Sequence, residues 1–433
     1  MSKDKNVAMS KFIFCSLFGI FMFFVPISIE GKSSIPLDHI VSWILKIPYY
    51  RETYGLILCF LGVILPFWKG TWNKSRVKMI FSIINIAALP FILMAVFHIG
   101  PEALLEKDMI PFIYSKIVVP VTTIVPVGSV FLAFIISYGL MEFVGVFMRP
   151  IMKPIFKTPG RSAIDAVASF VGSYSIALLI TNGVYREGKY TSKEACIIAT
   201  GFSTVSATFM IIVAKTLGFM ENHWLAYFWT TVFVTFLVTA ITARIYPLSQ
   251  KSDMYFQGIQ GNIEQDVPKN KWNIALQEAI RVSANSPTIF ENTKINLLEG
   301  FKLAFNMALS LMAVGTLGLI LAKYTPLFDV VGYIFYPFTF VIGISEPLLA
   351  AKALAMSIAE MFLPAVPVAE ASMVTKFIVG VSCVSEILFF SASIPCMLST
   401  DIPLTMKDYF IIWFERVALS ILITAPFAYL IFG

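Results

Sequence analysis

Apolar residues run in long blocks through most of this chain, separated by short polar segments, and the block lengths match what a helix needs to cross a bilayer. Phe12 to Ile29, Tyr54 to Trp68, Val77 to Ile99 and Val121 to Met148 read as spans. Lys11 precedes the first in the manner of a signal peptide, but no small-residue cleavage site follows, so a retained helix is expected. Ser162 to Tyr185 is interrupted by Gly172 and Ser173, whereas Glu194 to Leu217 and Trp224 to Arg244 read as continuous spans. A polar stretch from Pro247 to Lys294 contains Gly258, Gly261 and Pro268. Within it Trp272, Leu276, Ala279 and Ile280 have helical spacing, which predicts a linker helix lying on the protein or the membrane surface. Leu297 to Leu321, an irregular region from Val330 to Leu363, and spans over Val374 to Cys396 and Tyr409 to Phe432 complete the pattern.

One pattern is written twice. GFSTVSATFM from Gly201 and GVSCVSEILF from Gly380 share Gly, Ser, Val and Ser at four of ten positions, and the V-G-x-x-x-x-P of Val144, Gly145 and Pro150 recurs at Val331, Gly332 and Pro337. Two matches in the same order imply a duplication of the kind on which transporter cores are built. The expected organisation is an N-terminal three-helix membrane region over 1–118, a first repeat over 119–246, a cytoplasmic linker with an amphipathic helix over 247–295, and a second repeat over 296–433.

Composition supports the membrane reading and removes others. Hydrophobic residues make up 58% of 433 positions and charged residues 13%, too much apolar surface for a soluble globule to hide. The net charge of +6 comes from Lys and Arg spread over short loops rather than one patch, so no nucleic-acid partner is expected. Cys15, Cys59, Cys196, Cys383 and Cys396 lie in apolar stretches without C-x-x-C spacing, and His39, His98 and His223 are scattered. Buried thiols are expected rather than a disulfide framework or a metal site. The sequence contains no phosphate loop, nucleophile elbow or H-E-x-x-H, so catalysis has no support in it and no cofactor is expected beyond Na⁺ or H⁺ as a coupling ion.

Loop charge sets the orientation. Lys3, Lys5 and Lys11, then Lys69, Lys74, Arg76 and Lys78, then Arg149, Lys153, Lys157 and Arg161, then Arg186, Lys189 and Lys193 fall on one side if the N-terminus is cytoplasmic. Glu102, Glu106 and Asp108 then lie outside, and Gly218 to His223 carries no Lys or Arg. The count requires Ser162 to Tyr185 to enter and leave on the same side, as a re-entrant hairpin whose arms of about ten residues reach about 15 Å. The same parity sends Val330 to Leu363 in from the opposite face. The fold class is therefore an all-α polytopic membrane protein with inverted-topology repeats, each holding a re-entrant helical hairpin, plus three N-terminal transmembrane helices.

Polar residues at the hairpin tips and in the duplicated helices are the candidate site. In the first hairpin these are Ser173, Tyr174 and Ser175, with Thr181 and Asn182 on its second arm; in the second they are Ser345 and Glu346, with Pro347 suited to open a helix. A half-helix that begins in mid-membrane aims free N–H groups at a polar or anionic solute. Ser203 with Ser206, and Ser382 with Ser385 and Glu386, present hydroxyls three apart on a helical face. Serines in such helices also hydrogen-bond to their own backbone or to a neighbouring helix. Glu346 and Glu386 are the expected ion-coupling acids, since an acid within the membrane is costly, pairing with Lys352 or Lys376 being the structural alternative. Asp165 is expected to pair locally with Arg161. Ser173 and Glu346 are expected to approach each other near mid-membrane.

Phe170 to Met210 (FVGSYSIALLITNGVYREGKYTSKEACIIATGFSTVSATFM), IGISEP from Ile342 and S-T-D-I-P-L from Ser399 to Leu404 resemble YjiH-type membrane proteins that contain the nucleoside-recognition, or Gate, domain. The resemblance covers roughly residues 120 to 433. Gate domains occur in the ferrous-iron permease and in spore-maturation membrane proteins, and are similar to the inverted-repeat core of concentrative nucleoside transporters. The resemblance implies a solute site at Ser173, Glu346, Ser203 and Ser382, with Na⁺ or H⁺ driving uptake. An iron role is not implied, because Cys196 and Cys383 lack thiol or His partners, and nucleosides are implied only by the domain's name. The expectation is a secondary active transporter of a small polar organic solute in a bacterial cytoplasmic membrane, with the lipid bilayer and the solute as partners. A homo-oligomer or a second Gate-domain subunit is the further partner to consider, and a partner-dependent subunit that does not transport alone is the alternative. A membrane-embedded enzyme is the reading the sequence disfavours.

Overall fold

The computed structural model describes the chain apart from Met1, Glu30, Gly31, Lys69, residues 71–75 and 107–108, Gly172, Ser173, Ser206, residues 259–269, Ala392 and Ser399. Its N-terminal part comprises α1 (Ser2–Phe24), an antiparallel ribbon of β1 (Ile27–Ile29) and β2 (Lys32–Ser34), α2 (Pro36–Ile44), α3 (Tyr50–Trp68), α4 (Arg76–Phe97), and the short α5 (Glu102–Leu105) and α6 (Ile110–Phe112). The ribbon and α2 were not expected from the sequence pattern.

Both repeats hold a hairpin followed by a broken helix and a final long helix. The first runs through α7 (Val119–Ile136) and α8 (Leu140–Ile151), a hairpin of α9 (Ser162–Val171) and α10 (Tyr174–Arg186), a broken helix of α11 (Ser192–Gly201) and α12 (Ala207–Leu217), and α13 (Trp224–Thr242). After the linker helix α14 (Lys271–Asn285), the second runs through α15 (Ile289–Tyr324), a hairpin of α16 (Leu327–Gly332), α17 (Tyr336–Val341) and α18 (Pro347–Met356), a broken helix of α19 (Met373–Ser385) and α20 (Ser393–Leu398), and α21 (Met406–Phe432). Among the described residues, Asn6–Phe24, Trp224–Thr242 and Met406–Phe432 are each long and apolar enough to cross a membrane alone, and Asn85–Phe97 with Glu102–Ser115 forms a pair bent by 76°.

Three continuous spans of the sequence reading are interrupted. Val121 to Met148 turns at Gly139, which has φ 99° and lies so close to α14 that a Cβ would stand 2.3 Å from the Ala279 carbonyl oxygen. Glu194 to Leu217 and Val374 to Cys396 each lose their helix midway. Their starts are strongly specified: Thr191 and Glu194 form a capping box for α11, and Ser372 caps α19. The linker helix packs as expected on α1 and α8, burying Ala279 and Ile280 and donating from Ser283 to the Ala8 carbonyl at 2.8 Å.

The repeats are inverted. At one pole Lys251 pairs with Asp408 at 2.7 Å, Arg186 with Asp401 at 3.6 Å, and Thr191 bridges to Tyr255. At the other pole Phe432 packs on Phe219, His223 and Phe377. Thus α11 and α12 run from the first pole to the second, whereas α19 and α20 run back.

Candidate solute site at the two broken helices

The first hairpin is tied together at Asp165. This buried carboxylate accepts from the Thr181 hydroxyl at 2.9 Å and from the Tyr190 hydroxyl at 2.6 Å, joining both arms to the following loop. Those hydroxyls, not the expected Arg161, are its partners, because burial favours short neutral donors over a guanidinium held at the polar edge. Near the tip, Ser169 donates to the Thr204 carbonyl at 2.8 Å and the Tyr174 ring stands edge-on to Phe389 at 6.0 Å. The tip therefore touches both helix breaks. Ser173 and Ser206 themselves lie outside the described residues, as does the side chain of Ser175.

The first break follows Gly201, whose carbonyl is taken by the Thr239 hydroxyl of α13 at 2.9 Å. The chain then makes a three-residue turn, Thr204 N–H to Phe202 carbonyl at 2.8 Å. Ser203 is buried in this unwound segment rather than on a helix as expected.

The second break also opens with a three-residue turn, of the opposite hand, Leu388 N–H to Glu386 carbonyl at 2.7 Å. Its central residue Ile387 has φ 63°, a strained conformation for a β-branched side chain. Phe390 and Ser391 then donate backbone hydrogen bonds to Ile358 and Ala359 at 2.8 and 2.9 Å, joining the break to the end of the second hairpin.

A charged cluster surrounds this second break. Glu386 is fully buried; one oxygen accepts from Trp413 Nε1 at 3.1 Å, and Oε1 has no hydrogen-bond partner. The same indole N–H also reaches Ser357 Oγ at 3.0 Å. Arg416, equally buried, donates to the Ser385 carbonyl at 2.8 Å, to Thr239 Oγ1 at 3.1 Å and to the Thr235 carbonyl at 3.4 Å, placing its charge at the negative end of α19. Ser385 accepts from Ser420 at 2.9 Å, while the hydroxyls of Ser382, Thr204 and Thr424 are buried without partners. Buried Glu360 accepts from the Phe362 N–H at 2.5 Å. Arg416 and Glu360 were missed by the sequence reading, although each is a charge inside an apolar stretch, the signal that singled out Glu386.

Three expected site residues lie elsewhere. Glu346 accepts from the Ser372 N–H and Oγ at 3.3 and 2.9 Å and from Thr375 Oγ1 at 2.6 Å, which places it at the first turn of α19. Glu386 stands at the last turn of the same helix, thirteen residues on, or about 20 Å. Ser345 is exposed in the same turn, and Tyr429 of the last helix donates to the Ile342 carbonyl at 2.9 Å. The second hairpin thus turns at the pole of the bundle where Phe432 packs, and its deep point is the Ser357–Glu360 end. Its Lys352 pairs with Asp329 at 2.9 Å rather than with Glu346. Asn182 clasps Asp401 at the basic pole, with bonds of 3.4 and 2.9 Å, away from the breaks.

Two antiparallel broken helices with a hairpin between them define the class: a multi-pass helical membrane protein with a transporter-like fold. Two CNTnw structures share it. The chain covers 98% of one in an inward-facing substrate-bound state, and that structure matches all of this chain with a TM-score of 0.50 at 14% identity. For another, in an intermediate 2 state, coverage is 99% of both chains with a TM-score of 0.51 at 14% identity. Residues 118–220 match the Gate family, described as nucleoside recognition. An uncharacterized protein of Alkalihalophilus pseudofirmus is 31% identical over 98% of this chain and 94% of its own length, and the sporulation integral membrane protein YlbJ of Bacillus subtilis is 28% identical over 20% of this chain and 21% of its own. The chain belongs to the family of membrane proteins that carry the nucleoside-recognition Gate domain.

Proposed function

We propose that this protein is a secondary active transporter of a small polar organic solute, with nucleosides the first class to test, working by alternating access in a bacterial cytoplasmic membrane with its N-terminus in the cytoplasm. The observation that carries the reading is the orphaned Glu386 Oε1 beside the second break, together with the unpartnered Ser382 and Thr204 hydroxyls. A buried carboxylate oxygen without a donor is costly and is retained where something else supplies a positive partner. In this reading Na⁺ or a proton at Glu386 is that partner. Ser203, Ser206, Ser382 and the first hairpin tip at Ser173, Tyr174 and Ser175 contact the solute. Arg416 fixes the electrostatics, holding the end of α19 while the charge at Glu386 is alternately met and released.

Uptake by the purified protein in liposomes, with labelled nucleosides, amino acids, dipeptides and organic acids under an imposed Na⁺ or pH gradient, tests this. Gradient-driven accumulation is expected for the wild type and not for Glu386→Gln, which cannot change charge. Accumulation only with an added second Gate-domain subunit would replace the reading by the partner-dependent one.

A further inference from the structure

At the basic pole a cavity of about 1140 Å³ opens beneath the first hairpin, formed by four chain segments: the turn after α8, the loop between the hairpin and α11, the loop after α13, and the start of α14. The volume suits a small-molecule ligand. Eight Lys and Arg side chains line it against two acids, Glu194 and Asp253. Cytoplasmic loops of membrane proteins are rich in cations, but cations scattered for topology alone repel one another and spread into solvent rather than converge on one concavity.

Ion pairing within the protein does not neutralise this set. Arg149 is met by Glu278 at 3.3 Å, Lys189 by Glu187, and Lys193 by Asp253 at 3.8 Å. Arg244 is spent on the Pro154 and Ile155 carbonyls, and Glu194 accepts from the Thr191 N–H at 2.8 Å as part of the α11 capping box. Lys153, Lys157 and Lys271 remain on the wall, from two segments more than a hundred residues apart in sequence, with no carboxylate among the described residues in an ion pair to them. Lys157 is held in a left-handed conformation, φ 59°, at the turn that follows the π-helical end of α8.

We infer that this cavity binds a phosphate-bearing anion, through Lys153, Lys157 and Lys271, at the junction between the first hairpin and its flanking loops. The inference is independent of the transport reading. The chemistry is shared by an anionic lipid head group and a soluble phosphate compound, and the test separates them. Protein in phosphatidylcholine nanodiscs is titrated with pyrophosphate, and in parallel is reconstituted with added phosphatidylglycerol, with thermal unfolding as the readout. A rise in Tm with pyrophosphate assigns a soluble ligand, and a rise only with phosphatidylglycerol assigns a lipid head group. Lys157→Gln should weaken the half-maximal concentration by about tenfold, the worth of one charge-assisted contact, and the Lys153→Gln, Lys157→Gln, Lys271→Gln triple variant should abolish the response. All three positions are polar and at least partly exposed, so the unliganded Tm should stay close to wild type. No rise with either ligand, or an undiminished rise in the triple variant and in Lys157→Gln, overturns the inference.

Discussion

Both helix breaks open on a three-residue turn, but the turns are of opposite hand and different side chains meet them. At the first, neutral hydroxyls do the work: Thr239 takes the Gly201 carbonyl and Ser169 takes that of Thr204. At the second, the Ser385 carbonyl is taken by a buried guanidinium and the turn begins on a buried carboxylate. The repeats share their architecture, and the break in the second one alone is met by charged side chains. The turn also sits in different places relative to the repeated motif, starting one residue after Gly201 but six after Gly380. Sequence alignment of the copies pairs Ser203 with Ser382, yet the first is in unwound chain and the second is still helical. The position of a break is set by whichever side chain caps the last carbonyl, and the two cappers arrive from different helices.

The strongest test of that asymmetry is to remove each capper. Arg416→Met removes three buried charge-assisted hydrogen bonds, to the Ser385 and Thr235 carbonyls and to Thr239, and should cost about 3–5 kcal/mol of stability, whereas Thr239→Val removes the hydroxyl on the Gly201 carbonyl and one of the Arg416 acceptors and should cost about 1–3 kcal/mol. Thermal unfolding in detergent measures both. Equal losses would mean the two breaks are held in the same way after all.

That contrast also marks how far the sequence could be read. The inverted repeats and the re-entrant first hairpin were legible, because loop charge and apolar block length report topology directly. Glu386 was legible as an acid inside an apolar span. The breaks were not, since Phe202 to Ser206 and Glu386 to Ser391 are as apolar around their polar residues as any intact span, and what unwinds them is tertiary: Thr239, Ser169, Arg416 and the Ile358 and Ala359 carbonyls. Pro347 correctly signalled a turn at Glu346 but carried no information about depth, so the second tip was placed at the centre when it lies at the end of the bundle.

Ligand linkage should separate the breaks next. If the coupling ion sits at Glu386, saturating it at about 100 times Kd stabilises the wild type by about 2.7 kcal/mol, and this increment should vanish in Glu386→Gln. Thr204→Val, at the first break, should retain it and instead weaken solute binding. Loss of the ion increment in both variants would show that the two breaks form a single ion site.

The motif glycines give a smaller difference. A Cβ on Gly201 would meet Thr239 Cγ2 at 2.2 Å, while one on Gly380 would meet Leu217 Cδ1 at 2.6 Å. Threonine at that crossing is stiff and is already bonded to the Gly201 carbonyl, whereas the end of a leucine can rotate away. Gly201→Ala should therefore cost about 1–3 kcal/mol and Gly380→Ala less than about 1 kcal/mol, as read from denaturation midpoints. A reversed order would show that α13 packs against the two repeats differently from this structure.

The smallest effect is expected at Glu346, and it is the one that most sharpens the comparison. Glu346 and Glu386 occupy the two ends of α19, one among hydroxyls and backbone N–H at the start, the other against an indole and near a guanidinium at the finish. At the start, a carboxylate meets the positive end of the helix dipole and needs no further cation. Glutamine at 346 keeps an acceptor for Ser372 and Thr375 but loses the charge, and solvent access keeps that loss small. Glu346→Gln should cost at most about 1 kcal/mol and leave ion-dependent stabilisation and uptake at wild-type levels. Measured beside Glu386→Gln, it decides which end of the helix holds the ion, for a carboxylate already met by three donors at the helix start differs from one with an orphaned oxygen at the other end. Abolition of ion dependence by Glu346→Gln alone would move the coupling site to the turn before α18 and leave Glu386 a structural partner of Trp413.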